Sequence, residues 1–171
     1  AHMYEIAGQP DTAQIVELGP GRGSLMLDMQ HIWARTMPTM ADLPIQLVET
    51  SPQLRTIQKQ RIKATSIAWH DDVQSLPNAA LFGVANEFFD ALPIDQAVWR
   101  QGAWRHRLVT VMHGVLGFVD GPALTAPELA RWQITNDFQE MTEGSIAEYC
   151  PAAESILRQI AGRIARHGGA C

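Results

Sequence analysis

Over the first half of the chain, short runs of consecutive apolar residues alternate with stretches whose apolar positions recur every three or four residues. Ile15-Val16-Glu17-Leu18 is the first such run, apolar but for Glu17 and ended by Gly19-Pro20-Gly21. Behind it, Leu25, Met26, Leu27, Met29, Ile32 and Trp33 fall at helical spacing, with Ser24 as the expected N-cap and Pro38 and Pro44 bracketing the exit. Residues 45–49 read as a second strand. Ser51-Pro52 joins an N-cap to a proline at the first helical position, and predicts a helix to about Lys63. Residues 66–70 and 80–86 read as a third and a fourth strand, the fourth apolar almost throughout. Strands that do not alternate are buried on both faces, which predicts a mostly parallel sheet with helices on either side: an α/β, Rossmann-like fold.

The pattern changes near Pro93. Residues 97–100, 104–111 and 114–119 are strand-like, and Gln101-Gly102 and His113-Gly114 are turns between them, so a small antiparallel meander is expected. A loop-rich stretch with Pro122 and Pro127 follows, then a strand over 144–149. Pro151 opens a helix with Ile156, Leu157, Ile160, Ile164 and Ala165 on one face, stopped by Gly168-Gly169, with His167 in its last turn. The organisation read from this is a core over 1–93, an antiparallel insertion over 94–143 and a return to the core over 144–171, one domain overall. A final helix without its return strand, and only four parallel strands, mark the chain as a segment of a longer protein. His2, His31, His106 and His113 read as surface or turn residues.

Composition narrows the classes. A length of 171 residues fits one domain, and 46% hydrophobic residues exclude a wholly disordered chain. Charged residues are 18%, below the roughly 25% of an ordinary soluble domain, and the net charge is −5. An acidic chain has no excess Lys or Arg to displace counterions from a phosphate backbone, so nucleic acid is not an expected partner. No apolar run approaches the ~20 residues of a membrane span. Two cysteines, Cys150 and Cys171, and no signal-peptide pattern fit a reducing cytoplasm. His70-Asp71-Asp72 lacks a completing Cys or His cluster at ligand spacing, and no metal is expected.

The strongest chemical signal is Glu17-Leu18-Gly19-Pro20-Gly21-Arg22-Gly23-Ser24, a strand that ends in a glycine turn and opens a helix. Glycines let the backbone turn sharply and approach a ligand where a Cβ would collide, and a helix N-terminus offers free N–H groups. A dinucleotide fingerprint spaces its glycines Gly-x-Gly-x-x-Gly around a pyrophosphate. Here they stand at 19, 21 and 23, and Glu17 lies two residues before the first. A carboxylate is awkward beside a pyrophosphate and favourable beside a cation. S-adenosylmethionine carries an ammonium and a sulfonium and no phosphate, so the loop favours it; a turn that only packs helix on strand is the plain alternative. Glu49 ends the second strand, where a carboxylate accepts hydrogen bonds from ribose hydroxyls. That indicates an adenosine cofactor without choosing which. Asp71, after the third strand, is placed to meet an adenine amino group, and His70 and Asp72 read as solvent-facing or loop-capping.

Asn86-Glu87-Phe88-Phe89-Asp90-Ala91-Leu92-Pro93 follows the fourth strand, at the end where open parallel sheets carry their chemistry. Glu87 and Asp90, three apart, can face one way in a turn, and Asn86 offers both an acceptor and a donor. Two carboxylates beside Phe88 and Phe89 suit a guanidinium, whose repulsion from a sulfonium they would offset. The two phenylalanines read equally as core residues, and the two acids as helix caps.

At these residues the chain resembles the MidA-like S-adenosylmethionine-dependent methyltransferases, a family that includes the mitochondrial complex I assembly arginine methyltransferase. The matching text is residues 16–26, 47–52 with Leu54, Arg55 and Gln58, 69–71, 84–94 and 160–170; residues 86–93 are the most specific part and 120–143 the weakest. The resemblance implies a class I methyltransferase fold, S-adenosyl-L-methionine as methyl donor and a protein substrate methylated on arginine. It carries Glu17, Gly19, Pro20, Gly21 and Gly23 to the methionine-side loop, Glu49 to the ribose, Asp71 to the adenine, and Asn86, Glu87 and Asp90 to the active-site loop. Ser24 stands where the family has Thr, and the family's N-terminal acidic segment and the strand after Gly169 are absent. Two other readings remain: a catalytically silent assembly factor that docks through the meander with Trp99 and Trp104 as anchors, where a plain core hairpin is the alternative, and an NAD-dependent oxidoreductase, disfavoured by the glycine spacing.

Overall fold

The computed structural model describes residues 2–10, 12–64, 66–134 and 141–171. It divides into two compact units, one of residues 1–91 and 153–171 and one of residues 92–152. The part of the expected insertion over 135–140 lies outside the described residues.

The first unit is a five-stranded parallel sheet. Its strands are β1 (Ala13–Leu18), β2 (Ile45–Val48), β3 (Ile67–His70), β4 (Ala80–Ala85) and β9 (Gly169–Ala170), in the order β3-β2-β1-β4-β9. Its helices are α1 (His2–Ile6), α2 (Ser24–Thr36), α3 (Pro38–Ala41), α4 (Pro52–Arg61) and α6 (Pro151–His167). Every residue of β1 and β2 is buried, the polar Gln14, Glu17 and Gln46 included, as expected for central strands covered on both faces. Strand alternation sends Ala13, Ile15 and Leu47 to one face, against Met26 and Trp33 of α2, Met40 of α3 and Tyr4 of α1. Val16, Leu18 and Leu81 go to the other face, against Ile160 of α6. Sequence periodicity gave no notice of α1. It is held by Tyr4, whose ring meets Phe82 edge-on at 5.2 Å.

Two expectations need correction here. The helix that seemed to lack a return strand has one: Gly169 and Ala170 pair in parallel with Leu81 and Phe82. Two residues are too few to register as a pattern. The N-cap of α2 is Gly23, with φ 76°, and Ser24 is the first helical residue; the glycine turn itself supplies the entry that a side-chain cap would otherwise provide. Ser51 does cap α4, its Oγ accepting from the Leu54 N–H at 3.3 Å, with Pro52 opening the helix.

The second unit is an antiparallel sheet of β5 (Asp95–Arg100), β6 (Ala103–Met112), β7 (Val115–Ala123) and β8 (Ile146–Tyr149), in the order β7-β6-β5-β8, with α5 (Ala126–Arg131) beside it. Both hairpin turns have two residues with positive φ, Gln101-Gly102 and His113-Gly114, the geometry that matches strand twist. β8 pairs with β5, so the strand expected to return to the core over 144–149 completes the meander instead. Only backbone pairing could decide this, because both sheets accept such a strand. Trp99 and Trp104 face each other across β5 and β6 with ring centroids 5.6 Å apart and are buried with Ala97 and Leu124. They are core residues and not docking anchors. α5 interrupts the expected loop-rich stretch, opened by Thr125, whose N–H and Oγ1–H both donate to Glu128.

Candidate functional site

β1 and β4 are neighbours, yet the chain leaves β1 toward β2 and reaches β4 last among the first four strands. Such a reversal opens a crevice at the carboxyl ends of the two strands. The loops after β1 and β4 meet there around a hollow of about 350 Å³. Its walls are Gly19, Pro20, Gly21 and Arg22 of the glycine turn, Ser24 and Leu25 at the start of α2, Asn86 after β4, and Glu17.

All three loop glycines have positive φ, but their surroundings differ. A Cβ on Gly19 would stand 2.7 Å from Phe88 Cδ2, and one on Gly23 would stand 2.8 Å from Ile62 Cδ1. Those two glycines are demanded by neighbours as well as by conformation. Gly21 has nothing within 4 Å of its missing Cβ, so its surface is bare backbone beside the hollow.

Glu17 is 2% exposed, and its Oε2 has no hydrogen-bond partner among the described residues. Its register neighbours on β1's two sides are Leu47 and Val84, neither of which can pair with a charge. Burial pushes its carboxyl up to about 7. A buried carboxyl with one unbonded oxygen, bordering a cavity, is an arrangement that a ligand ammonium would complete, so the residues present fit the cationic end of S-adenosylmethionine. No phosphate-like group is favoured there.

Glu49 follows β2 and is nearly buried. Its Oε1 accepts from the Ser51 N–H at 2.8 Å, and its Oε2 takes a long contact from Gln58 Nε2 at 3.4 Å. Gln58, fully buried on α4, also donates from Nε2 to the Gly21 carbonyl at 2.7 Å, and its Oε1 accepts from the Trp69 indole at 2.8 Å. One amide therefore ties the glycine turn, the acid after β2 and β3 together. Sequence reasoning assigned Gln58 no role. The available signal was a glutamine on the inward face of an otherwise polar helix. Arg55, one turn earlier, donates from Nε to the Glu49 carbonyl at 2.6 Å and pairs through Nη2 with Asp71 at 2.7 Å. Asp71 thus stands at the rim, its side chain 82% exposed, engaged by Arg55. Arg61 donates to the Arg22 carbonyl at 3.0 Å and to Ser24 Oγ at 3.3 Å.

The loop after β4 divides. Asn86 lines the hollow. Phe88 packs on the Val16–Leu18 side of the core and against Gly19. Phe89 meets Phe88 edge-on at 5.2 Å and lines a separate apolar hollow with Leu157, Ile160 and Ile164 of α6. Neither phenylalanine lines the hollow that Glu17 borders. Glu87, with φ 52°, and Asp90, in a short 3₁₀ turn, are exposed. The structure therefore gathers Glu17, Gly19, Pro20, Gly21 and Asn86 on one hollow and links Glu49 to it through Gln58. Gly23 lies beneath the turn against Ile62. Asp71, Glu87 and Asp90 stand outside the lining.

His70 differs from its expected solvent-facing place. It is half-buried, with its ring nitrogens 2.6 Å from Gln46 Oε1 and 3.2 Å from Ser75 Oγ, and desolvation followed by the Arg55 charge lowers its pKa. Asp72 caps a short turn, accepting from the Ser75 N–H at 2.9 Å. Among the described residues no group of three His, Cys, Asp or Glu side chains could hold a metal ion. No helix there is long and apolar enough to cross a membrane.

The model of a family of S-adenosyl-L-methionine-dependent methyltransferases matches residues 1–171. The mitochondrial protein arginine methyltransferase NDUFAF7 of Xenopus tropicalis is 32% identical over 192 residues, which span 96% of this chain and 43% of the relative. That of Homo sapiens is 29% identical over 191 residues, spanning 95% and 42%. The chain thus spans about two fifths of the length of these relatives. Among solved structures, a Burkholderia thailandensis protein bound to S-adenosyl-homocysteine superposes with a TM-score of 0.76 at 24% identity, over 95% of this chain and 41% of that one. A native structure from the same organism gives 0.75 at 25% identity, over 95% and 42%.

Proposed function

We propose, since the chain belongs to the family of S-adenosyl-L-methionine-dependent methyltransferases, that it carries the cofactor site of such an enzyme, acting on an arginine side chain of a protein. One observation carries the reading: a buried carboxyl with an unbonded oxygen, Glu17, borders a hollow that is also lined by the bare backbone of Gly21. S-adenosyl-L-methionine supplies an electrophilic methyl group when bound. In this reading Glu17, Gly19, Pro20 and Gly21 hold its methionine end, and Gly23, beneath the turn, shapes the loop that does so. Glu49 accepts from the ribose hydroxyls with the lone pairs that Ser51 and Gln58 leave free, and Asp71 stands toward the adenine. Asn86, Glu87 and Asp90 serve the acceptor: the two carboxylates offset the repulsion between a guanidinium and a sulfonium and orient one nitrogen for in-line attack. The NDUFAF7 names support arginine and a protein partner. The compartment follows the source, cytoplasm in a bacterium and mitochondrial matrix in a eukaryote, the latter supported by the mitochondrial names of the relatives.

Calorimetric titration with S-adenosyl-L-methionine, S-adenosylhomocysteine and NAD tests the cofactor. The first two should bind and NAD should not; binding of NAD alone overturns the reading. Glu87→Gln and Asp90→Asn should lose methyl transfer and keep cofactor affinity, whereas unchanged turnover in both rejects their roles. A second reading, a silent assembly factor, is favoured by one observation. The outer part of the β6–β7 hairpin exposes Leu108, Val109, Leu116 and Phe118 at 46–73% of their surface, more apolar area than a free enzyme surface needs. Methyl incorporation into a protein acceptor by the full chain distinguishes the two.

A further inference from the structure

Two side chains of α4 hold carbonyls of the glycine turn. Gln58 Nε2 donates to Gly21 O at 2.7 Å, and Arg61 Nη1 donates to Arg22 O at 3.0 Å. Every described peptide bond is trans. In a planar trans peptide the carbonyl and the following N–H point in opposite directions. A Gly21 carbonyl drawn toward α4 therefore turns the Arg22 N–H away from α4. The next N–H, that of Gly23, is already used, donating to Pro20 O at 2.8 Å to close the turn. Gly21 and Arg22 both line the hollow, and no residue of α4 does.

We propose that Gln58 is a positioning residue that aims the Arg22 backbone N–H into the hollow, as a donor to the carboxylate of the cofactor's amino-acid end. The proposal rests on the cofactor reading above and adds to it the reason for a buried amide. Gly21, with φ 55° and no Cβ, leaves the Gly21–Arg22 peptide free to rotate. Rotated over, it would present a carbonyl oxygen to the hollow and repel a carboxylate. Gln58 removes that freedom. It is itself held by the Trp69 indole at 2.8 Å and has no exposed surface. Its second contact, to Glu49 at 3.4 Å, reaches toward the ribose end, so loss of Gln58 touches both ends of the ligand. The test must therefore separate them.

Two ligands do so. S-adenosylhomocysteine has the amino-acid end, and 5′-methylthioadenosine has the same nucleoside and sulfur without it. Both are titrated into the full wild-type chain and into Gln58→Met, which keeps the length of the side chain and removes the donor. The variant should lose about tenfold more affinity for S-adenosylhomocysteine than for methylthioadenosine, the worth of one charge-assisted hydrogen bond. An equal loss for both makes Gln58 a purely structural residue and overturns the proposal. Wild-type protein also gives an answer if Gln58→Met does not fold. The Arg22 amide proton should move downfield in nuclear magnetic resonance spectra with S-adenosylhomocysteine and not with methylthioadenosine, and the same response to both overturns the proposal. Wild-type protein that binds neither nucleoside sinks the cofactor reading and this inference together; binding of both with no difference at Arg22 sinks the inference alone.

Discussion

The parallel sheet hides polar groups, and the antiparallel sheet shows apolar ones. In the first unit Gln14, Glu17, Gln46 and Glu49 are buried on or just beyond β1 and β2. Most have partners: Gln14 donates to the Pro77 carbonyl at 2.9 Å, Gln46 meets His70, and Glu49 meets Ser51. Gln14 Oε1 and Glu17 Oε2 are both buried without a hydrogen-bond partner among the described residues, but only Glu17 borders the hollow at the strand ends, which is what sets it apart. In the second unit the core lies at one end, around Trp99 and Trp104, while the outer β6–β7 ribbon exposes Val109 and Phe118 on one face and Leu108 and Val119 on the other. Two layers of helix enforce polar satisfaction in the parallel sheet. A ribbon open on both faces enforces nothing, so its apolar residues are free to serve a covering surface.

The comparison can be broken most sharply at the tryptophans. Trp104→Ala should cost about 3–5 kcal/mol, read from the denaturant midpoint, because its ring fills the core of the antiparallel unit. A loss below 1 kcal/mol would mean that the unit is held elsewhere. The next effect is in pH. Glu17 has a folded value of about 7 against an ordinary 4.5. Below the lower value the carboxyl is protonated in both states and costs nothing. Between the two values the unfolded chain ionises first, so stability falls as pH rises, and above about 7 the full cost is present. That cost is roughly 3 kcal/mol. Glu17→Gln should flatten this slope between pH 5 and 8 and be the more stable protein at pH 8; an unchanged slope would place the titration on another group.

Gly19→Ala comes third, at about 1–3 kcal/mol, since it combines a left-handed backbone with a Cβ 2.7 Å from Phe88. It should also disturb the loop after β4 and weaken S-adenosylhomocysteine binding, while Gly8→Ala, with similar φ and nothing within 4 Å, should cost less and leave binding intact. The smallest effect belongs to the exposed ribbon. Leu116→Ser, at a residue 73% exposed, should change stability by less than about 0.5 kcal/mol. A large loss would show the ribbon to be covered in solution, and would narrow the contrast between the two sheets.

Much of this was legible in the chain itself. β1, β2 and β4 announce themselves as short, largely apolar runs that do not alternate, and the glycines at 19, 21 and 23 mark the turn that opens α2. The two hairpin turns are written as Gln-Gly and His-Gly. The elements missed were short or context-dependent: α1, held by one tyrosine, α5 within a proline-containing stretch, and β9, two residues long. Arg163 was missed for a different reason. The sequence assigns it no role, yet on α6 it is buried and donates to the Gln74 and Pro77 carbonyls at 2.8 and 3.1 Å. Only the path of the β3–β4 connection reveals those acceptors.

Sequence alone determined the elements whose signal is local: apolar runs, helix caps, glycine turns, and the acids that end strands. Tertiary structure decided which of these meet. It gave β8 to the antiparallel sheet, turned Phe88 onto Gly19 and Phe89 away from the hollow, and brought Gln58 across 37 positions to the Gly21 carbonyl. The reason is physical. A residue's pattern records whether it must be buried, but a hydrogen bond or a ring contact needs a partner, and the partner's position is set by how the sheets and helices close around it.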